Sequence, residues 1–275
     1  MYNADTLVNE QRSAAAFSRQ APVFDALYSG NLIIQYKRDR VRAHLQQYLL
    51  PGSHILELNS GTGEDALYLA MQGHSVHATD LSTGMLEVLQ KKIKDSEGGN
   101  RISVEQCSFN HLQNLQQKGP YDVLFSNFAG LNCTGKLNEV LHSFPVLLKP
   151  GGVVTLVIMP SFCLWETLLF FRGFGIKAFR RFFSRKGRTA NVEGTSFKCW
   201  YYTPSHVIRH LRKDFDLLSV EGLCSLVPPS YLEKFPEKYP RLFSFLKSKE
   251  NKWKNKWPWK YMGDYFIISF RKKLS

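Results

Sequence analysis

The chain has 275 residues, 44% of them hydrophobic, and a formal net charge of +13. That apolar fraction is ordinary for a soluble globular protein and sufficient for a large core, as one domain or as a core domain with a sizeable insertion. Its composition excludes several classes. No uncharged apolar run reaches the ~18 residues of a spanning helix. The start, MYNADTLVNEQRSAAAF, lacks the charged-then-apolar layout of a signal peptide. The five cysteines (Cys107, Cys133, Cys163, Cys199, Cys224) are odd in number and form no CxxC pair. This speaks for a reducing, cytoplasmic compartment and against a disulfide framework or a zinc site, so no metal is expected.

In chain order, residues Ala14 to Leu49 read as helical, and Pro51-Gly52 ends the pattern. HILEL, SVHATD, ISVEQ, YDVLFSN and GVVTLVIM then read as strands. EDALYLAMQ, TGMLEVLQKKI and LNEVLHSFPVLL read as the helices between them. Such alternation predicts βαβ units and a mostly parallel sheet, whose ligands lie beyond the carboxyl ends of the strands. From Ser161 the alternation stops in an aromatic, basic stretch. YYTPSHVIRHLRK then reads as a capped helix, and DLLSVEGL and GDYFIISFRK as strands. A segment rich in Pro, Lys and Trp lies between those strands as an elaboration on the sheet. The expected organisation is a helical cap (1–50), a ligand-binding core (51–160), a basic aromatic lid (161–203) and a C-terminal completion of the sheet (204–275).

The most informative stretch is HILELNSGTGEDALYLA. Gly61 and Gly63 permit a sharp turn and close approach to a ligand, and the helix that follows offers free N–H groups. The loose G-x-G-x-x-A pattern suits a dinucleotide. Glu57 before the turn, with Glu64 and Asp65 on the first helical turn, opposes a pyrophosphate and favours a ligand with a positive end. Asp80, ending the next strand, is placed to accept both hydroxyls of a ribose, and Ser82 is the better helix cap. An adenosyl ligand with a cationic amino-acid tail meets all these demands, and S-adenosylmethionine (SAM) is such a ligand.

ILELNSGTGEDALYLA, VHATDLSTGMLEVLQKK, YDVLFSNFAGLNC and LLKPGGVVTLVIM together resemble the successive motifs of class I SAM-dependent methyltransferases, over about Leu49 to Pro160. The resemblance implies an α/β, Rossmann-like three-layer sandwich. Its mostly parallel seven-stranded sheet has an antiparallel C-terminal strand, an N-terminal helical cap and a helical insertion. By the same resemblance Glu57, Asn59, Gly61 and Gly63 line the methionine end of SAM, and Asp80 binds the ribose. Leu81 and Met85 flank the adenosine, Cys107, Ser108 and Phe109 form the adenine loop, and Asn127 and Phe128 stand beside the sulfonium. The sequence departs from the family twice: Asn59 occupies a place usually held by a small residue, and the usual acid of the adenine loop is missing. Asn tolerates left-handed backbone better than most residues. Met85 reads equally well as core, and Cys107 as an inert buried thiol.

Aromatics predominate where an acceptor pocket is expected: Phe17, Phe24, Tyr28 and Tyr36 in the first helices, and Phe162, Trp165, Phe170, Phe171 and Phe174 in the insertion. These favour a small hydrophobic or aromatic acceptor, with Tyr28, Tyr36, Asn132 and Trp165 as candidate contacts. FSRQAPVFDALYSG resembles the entry segment of quinone-type methyltransferases. No motif marks a catalytic base. His111 is the histidine nearest a ligand-facing loop, ahead of His142, His206 and His210. The segment from Glu57 to Glu139 is roughly balanced in charge, while the basic excess begins at Arg172. An amphipathic basic stretch (Arg172 to Arg188) and KSKENKWKNKWPWK suit peripheral contact with an anionic membrane, on the inner face of the cell membrane. Nucleic acid is the lesser expectation, because no RNA-binding module is recognisable. An RNA or protein methyltransferase and a non-catalytic SAM-binding or membrane module are the rival readings.

Overall fold

The computed structural model describes residues 4–169, 181–182 and 186–274. Its centre is a seven-stranded sheet of β1 (His54–Leu58), β2 (Ser75–Asp80), β3 (Ile102–Gln106), β4 (Tyr121–Ser126), β5 (Leu148–Ile158), β8 (Phe215–Leu223) and β9 (Tyr265–Lys272). The spatial order is β3-β2-β1-β4-β5-β9-β8. The first five strands are parallel, and β9 is inserted antiparallel between β5 and β8. This is the Rossmann-like sheet expected from the motif order.

Alternation along each strand builds two cores. Ile55, Val123 and Phe125 face one layer, with Val41 and Leu45 from α2 (Leu32–Leu45), Ala66 and Leu69 from α3 (Glu64–Met71) and Leu86 and Leu89 from α4 (Thr83–Lys94). Leu56, Leu58 and Leu124 face the other, with Val140 and Leu141 from α5 (Leu137–His142) and Val207 and Leu211 from α7 (Pro204–Leu211). Side-chain caps fix the helix starts. Asn31 accepts from Ile33 N and Ile34 N, Ser82 from Met85 N, and Thr203 from His206 N.

Three expectations need correction. The N-terminal helical region is two helices, α1 (Ala4–Ser29) and α2, broken at Gly30-Asn31, and α1 begins ten residues before Ala14. LNEVLHSFPVLL is helical only to His142, because Pro145 opens a separate 3₁₀ turn, Pro145–Leu147. The described part of the insertion is not purely helical. It comprises α6 (Leu164–Leu169) and an antiparallel hairpin, β6 (Arg188–Val192) with β7 (Thr195–Cys199). Phe170, Phe171, Phe174 and most of the basic stretch lie outside the described residues. The Lys- and Trp-rich elaboration forms α8 (Phe235–Lys238), α9 (Pro240–Trp253) and a 3₁₀ turn, Trp259–Tyr261.

Helix α1 crosses the start of α4 at close range. The Ser18 and Ser82 hydroxyls are 2.8 Å apart. Gly84 permits the crossing, since a Cβ there would lie 2.7 Å from Ser18 O. Asn9 ties the same helix to the hairpin: its Nδ2 donates to Cys133 O and Lys198 O, and its Oδ1 accepts from Lys198 N. The helix thus becomes a roof over the ends of β1 to β4.

Candidate active site

The strand order reverses between β1 and β4, and a cleft opens there beneath α1. The β1 loop turns through left-handed residues: φ is 48° at Asn59, 56° at Gly61 and 78° at Gly63. The two glycines serve different ends. A Cβ on Gly61 would meet nothing within 4 Å, so only its backbone conformation calls for glycine. A Cβ on Gly63 would lie 2.1 Å from Leu89 Cδ1, so that glycine seats α3 against α4.

Asp80 is clamped between two loops. Gly61 N donates to its Oδ2 at 2.9 Å and Ser82 N to its Oδ1 at 2.8 Å. Burial raises its pKa and these amides pull it back. The Leu81 amide adds a third backbone contact, and the carboxylate keeps acceptor capacity where Asp80 borders the cleft. Asn59 bridges β1 to β4: Ser126 Oγ donates to its Oδ1 at 2.6 Å, and its Nδ2 donates to Asn127 O at 2.8 Å. A side chain at Gly130 would strike Asn59 Cγ at 2.3 Å. Phe128 (φ 47°) and Ala129 (φ 63°) continue the turn in left-handed conformation, which stores strain beside the cleft.

Glu57 is set back from the cleft and fully enclosed. Burial, then the charges of Asp65 and Asp80, push its carboxyl well above the usual range. Its Oε2 has no hydrogen-bond partner. Asp65 accepts from Arg42 Nε at 2.8 Å and from Asn127 Nδ2 at 2.7 Å. Arg42 and Arg38 offset part of this negative charge, and Glu57 keeps an unpartnered oxygen within the set.

Of the residues expected to hold SAM, the structure brings ten to the cleft wall. They are Asn59, Gly61, Asp80, Leu81, Met85, Cys107, Ser108, Phe109, Asn127 and Phe128. Glu57 and Gly63 are behind the wall. Burial lifts the Cys107 thiol to about 11, which keeps it unreactive. The acceptor contacts divide differently. Tyr36 faces away, donating to Glu250 Oε1 at 3.1 Å in a cluster with Ile33 and Phe243. Asn132 is fully buried and brackets backbone, donating to Met159 O and Trp200 O and accepting from Met159 N. Trp165 donates to Leu226 O and borders a separate groove beside α8 and α9. Tyr28 borders an adjoining polar recess with Arg38 and Glu64. His111 lies in the 3₁₀ turn Phe109–Asn114 and does not line the cleft. The sequence reading missed Glu10, Ser13, Ala14, Gly130 and Cys133, which do line it. Glu10, Ser13, Ala14 and Phe17 share an i, i+3, i+4, i+7 face, a signal available had the helix been started earlier. Among the described residues no group of three His, Cys, Asp or Glu side chains is placed to hold a metal ion.

Residues 55–152 match a family described as the methyltransferase domain. Over 158 residues the chain is 31% identical to demethylmenaquinone methyltransferase of Lactococcus lactis, a match covering 55% of this chain and 60% of that protein. The stretch from β1 into β5 is thus similar to a methyltransferase domain. The match spans about three-fifths of the length of the Lactococcus relative. Among solved structures, the [4+2]-cyclase SpnF superposes with a TM-score of 0.65 at 14% identity, covering 97% of each chain. The 1,6-didemethyltoxoflavin-N1-methyltransferase of Burkholderia thailandensis superposes with a TM-score of 0.57 at 16% identity, covering 99% of this chain and 92% of that one. These two likenesses show the shared fold.

The cleft has features that suit SAM. It offers an oriented carboxylate at the end of β2 and a buried acid without a full set of partners behind the β1 loop. That electrostatics has a measurable consequence. SAM brings positive charge to a field in which the Glu57 and Asp80 carboxyls are held above their usual range. Binding therefore favours their ionised forms. Proton release on binding is expected, with affinity rising as pH rises toward the elevated pKa of Glu57. Titration calorimetry in buffers of different ionisation enthalpy reads the release directly, and Glu57→Gln is expected to reduce it. A heat independent of buffer would refute the coupling.

Proposed function

We propose that this chain transfers a methyl group from SAM to a small, hydrophobic or aromatic acceptor. The observation that carries the reading is the wall of the cleft: Phe17 and Phe24 from α1 and Phe128 from the β4 loop border the same space as Asp80 and Asn127. Bound there, SAM would supply an activated methyl carbon: an electron pair of the acceptor would bond to it as the carbon–sulfur bond breaks, S-adenosylhomocysteine (SAH) would leave, and the proton of the methylated atom would pass to solvent. The protein's part is orientation and exclusion of water. Asp80 accepts the ribose hydroxyls, and Leu81 and Met85 pack the adenosine. Asn59 and Gly61 shape the seat of the methionine end, with Glu57 supplying negative charge from behind. Asn127 and Phe128 border the sulfonium.

Among the described residues, those lining the cleft include no histidine. This favours an acceptor atom that is nucleophilic without an imidazole base, such as a ring carbon, an amine or an acidic phenol. The Lactococcus relative is named for a demethylmenaquinone substrate, and a quinone-type ring suits an aromatic wall. The test is transfer of label from methyl-labelled SAM to a panel of quinols, phenols and heteroaromatic amines, with RNA and protein acceptors alongside. Label in an aromatic small molecule supports the reading. Label in RNA or protein alone would replace it with the rival suggested by the +13 charge.

The C-terminal elaboration supports a second reading, peripheral contact with an anionic membrane from the cytoplasmic side. Trp257 is 79% exposed and Phe245 55%. Lys249 Nζ lies 5.3 Å from the Phe245 ring centroid and 5.8 Å from that of Trp253. Exposed aromatics among lysines suit a headgroup layer. No described helix is long and apolar enough to cross a membrane. Co-sedimentation with anionic vesicles at low salt, lost at high salt, is expected. Failure to sediment at low salt would remove this reading.

A further inference from the structure

The adenine loop of this chain carries no acid: Cys107, Ser108 and Phe109 follow β3. The structure brings one from elsewhere. Glu10 on α1 accepts a hydrogen bond from the Ser108 hydroxyl across a sequence separation of 98 residues. Ser108 Oγ also accepts from Asn110 N at 3.0 Å, so its own proton is committed to Glu10 and the carboxyl is held in place. Glu10 is only 7% exposed and borders the cleft with Ser108. Among the described residues no lysine or arginine forms an ion pair with it. Burial raises its pKa, with Asn110 and His111 pulling the other way. Held by the Ser108 hydroxyl and with the charge of His111 near it, the carboxyl still has lone pairs to offer a ligand on the cleft side.

The sheet order says which part of the ligand arrives there. The strands run β4-β1-β2-β3 across the mouth of the cleft. With the ribose on Asp80 at the end of β2 and the methionine end toward β1 and β4, the base extends over the β3 loop. Leu81, Met85 and Phe109 offer apolar walls for a planar ring. Adenine presents an amino donor on its edge, and Glu10 offers a carboxyl acceptor at that end of the cleft. We infer that Glu10 accepts the hydrogen bond of adenine's exocyclic amino group, so that α1 supplies from outside the sheet the acid its own loop lacks. The inference rests on SAM being the ligand of this cleft.

A base with a carbonyl oxygen in place of the amine sets two acceptors face to face. The experiment is calorimetric titration of the full chain with SAH and with S-inosylhomocysteine, which differ at that position. Wild-type protein is expected to bind SAH about tenfold or more tightly than the oxo analogue. Glu10→Ala is expected to shrink this ratio to within about threefold, chiefly by weakening SAH. Glu10→Gln, of equal size, also narrows the ratio, because its amide can turn either its oxygen or its NH2 to the base. A role of Glu10 limited to seating α1 would weaken both ligands by one common factor and leave the ratio intact, which overturns the inference. So does a wild-type protein that does not discriminate, a result that needs no variant. Wild-type protein that binds neither ligand would overturn the cofactor assignment itself.

Discussion

Asp80→Ala is expected to weaken SAM and SAH binding by about a hundredfold or more. The carboxylate is held by Gly61 N and Ser82 N at 2.9 Å and 2.8 Å, so it meets a ribose without first being ordered. Two charge-assisted hydrogen bonds to hydroxyls contribute about 3–5 kcal/mol together. The substitution has a second effect. It leaves Gly61 N without its acceptor in a loop that already turns through three left-handed residues, so the seat of the methionine end loosens as well. Asp80→Asn keeps one acceptor oxygen and is expected to lose less, on the order of tenfold. Calorimetric titration checks both, with thermal melting to confirm that the sheet survives. Asp80→Ala binding SAH as wild type does would remove Asp80 from the site.

The sequence made the floor of this site legible and its roof largely illegible, for a physical reason. Strand and turn signals are local. Ile55, Leu56 and Leu58 alternate between two cores, and Gly61 is demanded by its own backbone conformation, so both can be read from neighbours along the chain. The place of Asp80 at the cleft was legible because it ends a strand. Residues whose role depends on distant partners carry no such mark. Glu10 meets Ser108 from 98 residues away. Asn132 looked like a substrate contact because it lies in a ligand-facing loop, yet its amide is wholly used on backbone of β5's end and of the segment after β7. Tyr36 looked like part of the acceptor wall because it is aromatic and in the cap. The rotation of α2 turns it instead toward Arg40 and Glu250. The hairpin of β6 and β7 escaped notice because its strands are half exposed and mostly polar.

The other large expected effect lies in the charged cluster that fastens the cap and the insertion to the sheet. Asp264, at the start of β9, pairs with Lys37 of α2 at 2.6 Å and with Arg181 of the insertion at 2.7 Å, and Arg181 also pairs with Glu166 of α6 at 2.8 Å. Lys37 and Arg181 are almost wholly buried. Asp264→Asn removes the negative charge while both cations remain enclosed, so a loss of about 3–5 kcal/mol is expected. For a chain of this size that lowers the melting temperature by about 10 °C. The two cations hold the Asp264 carboxyl down at about 2, and His44 and Lys254 hold Glu221 at about 2 as well. A carboxyl depressed on folding contributes stability that is fully present above its ordinary pKa. That stability is lost as pH falls from about 4 toward 2. Wild-type stability in denaturant titrations is therefore expected to fall steeply over that window, and the gap between wild type and Asp264→Asn to close with it. A gap that stayed constant from pH 7 to pH 2.5 would mean that the charge on Asp264 contributes nothing to holding the cap, leaving the loss to the altered hydrogen bonds alone.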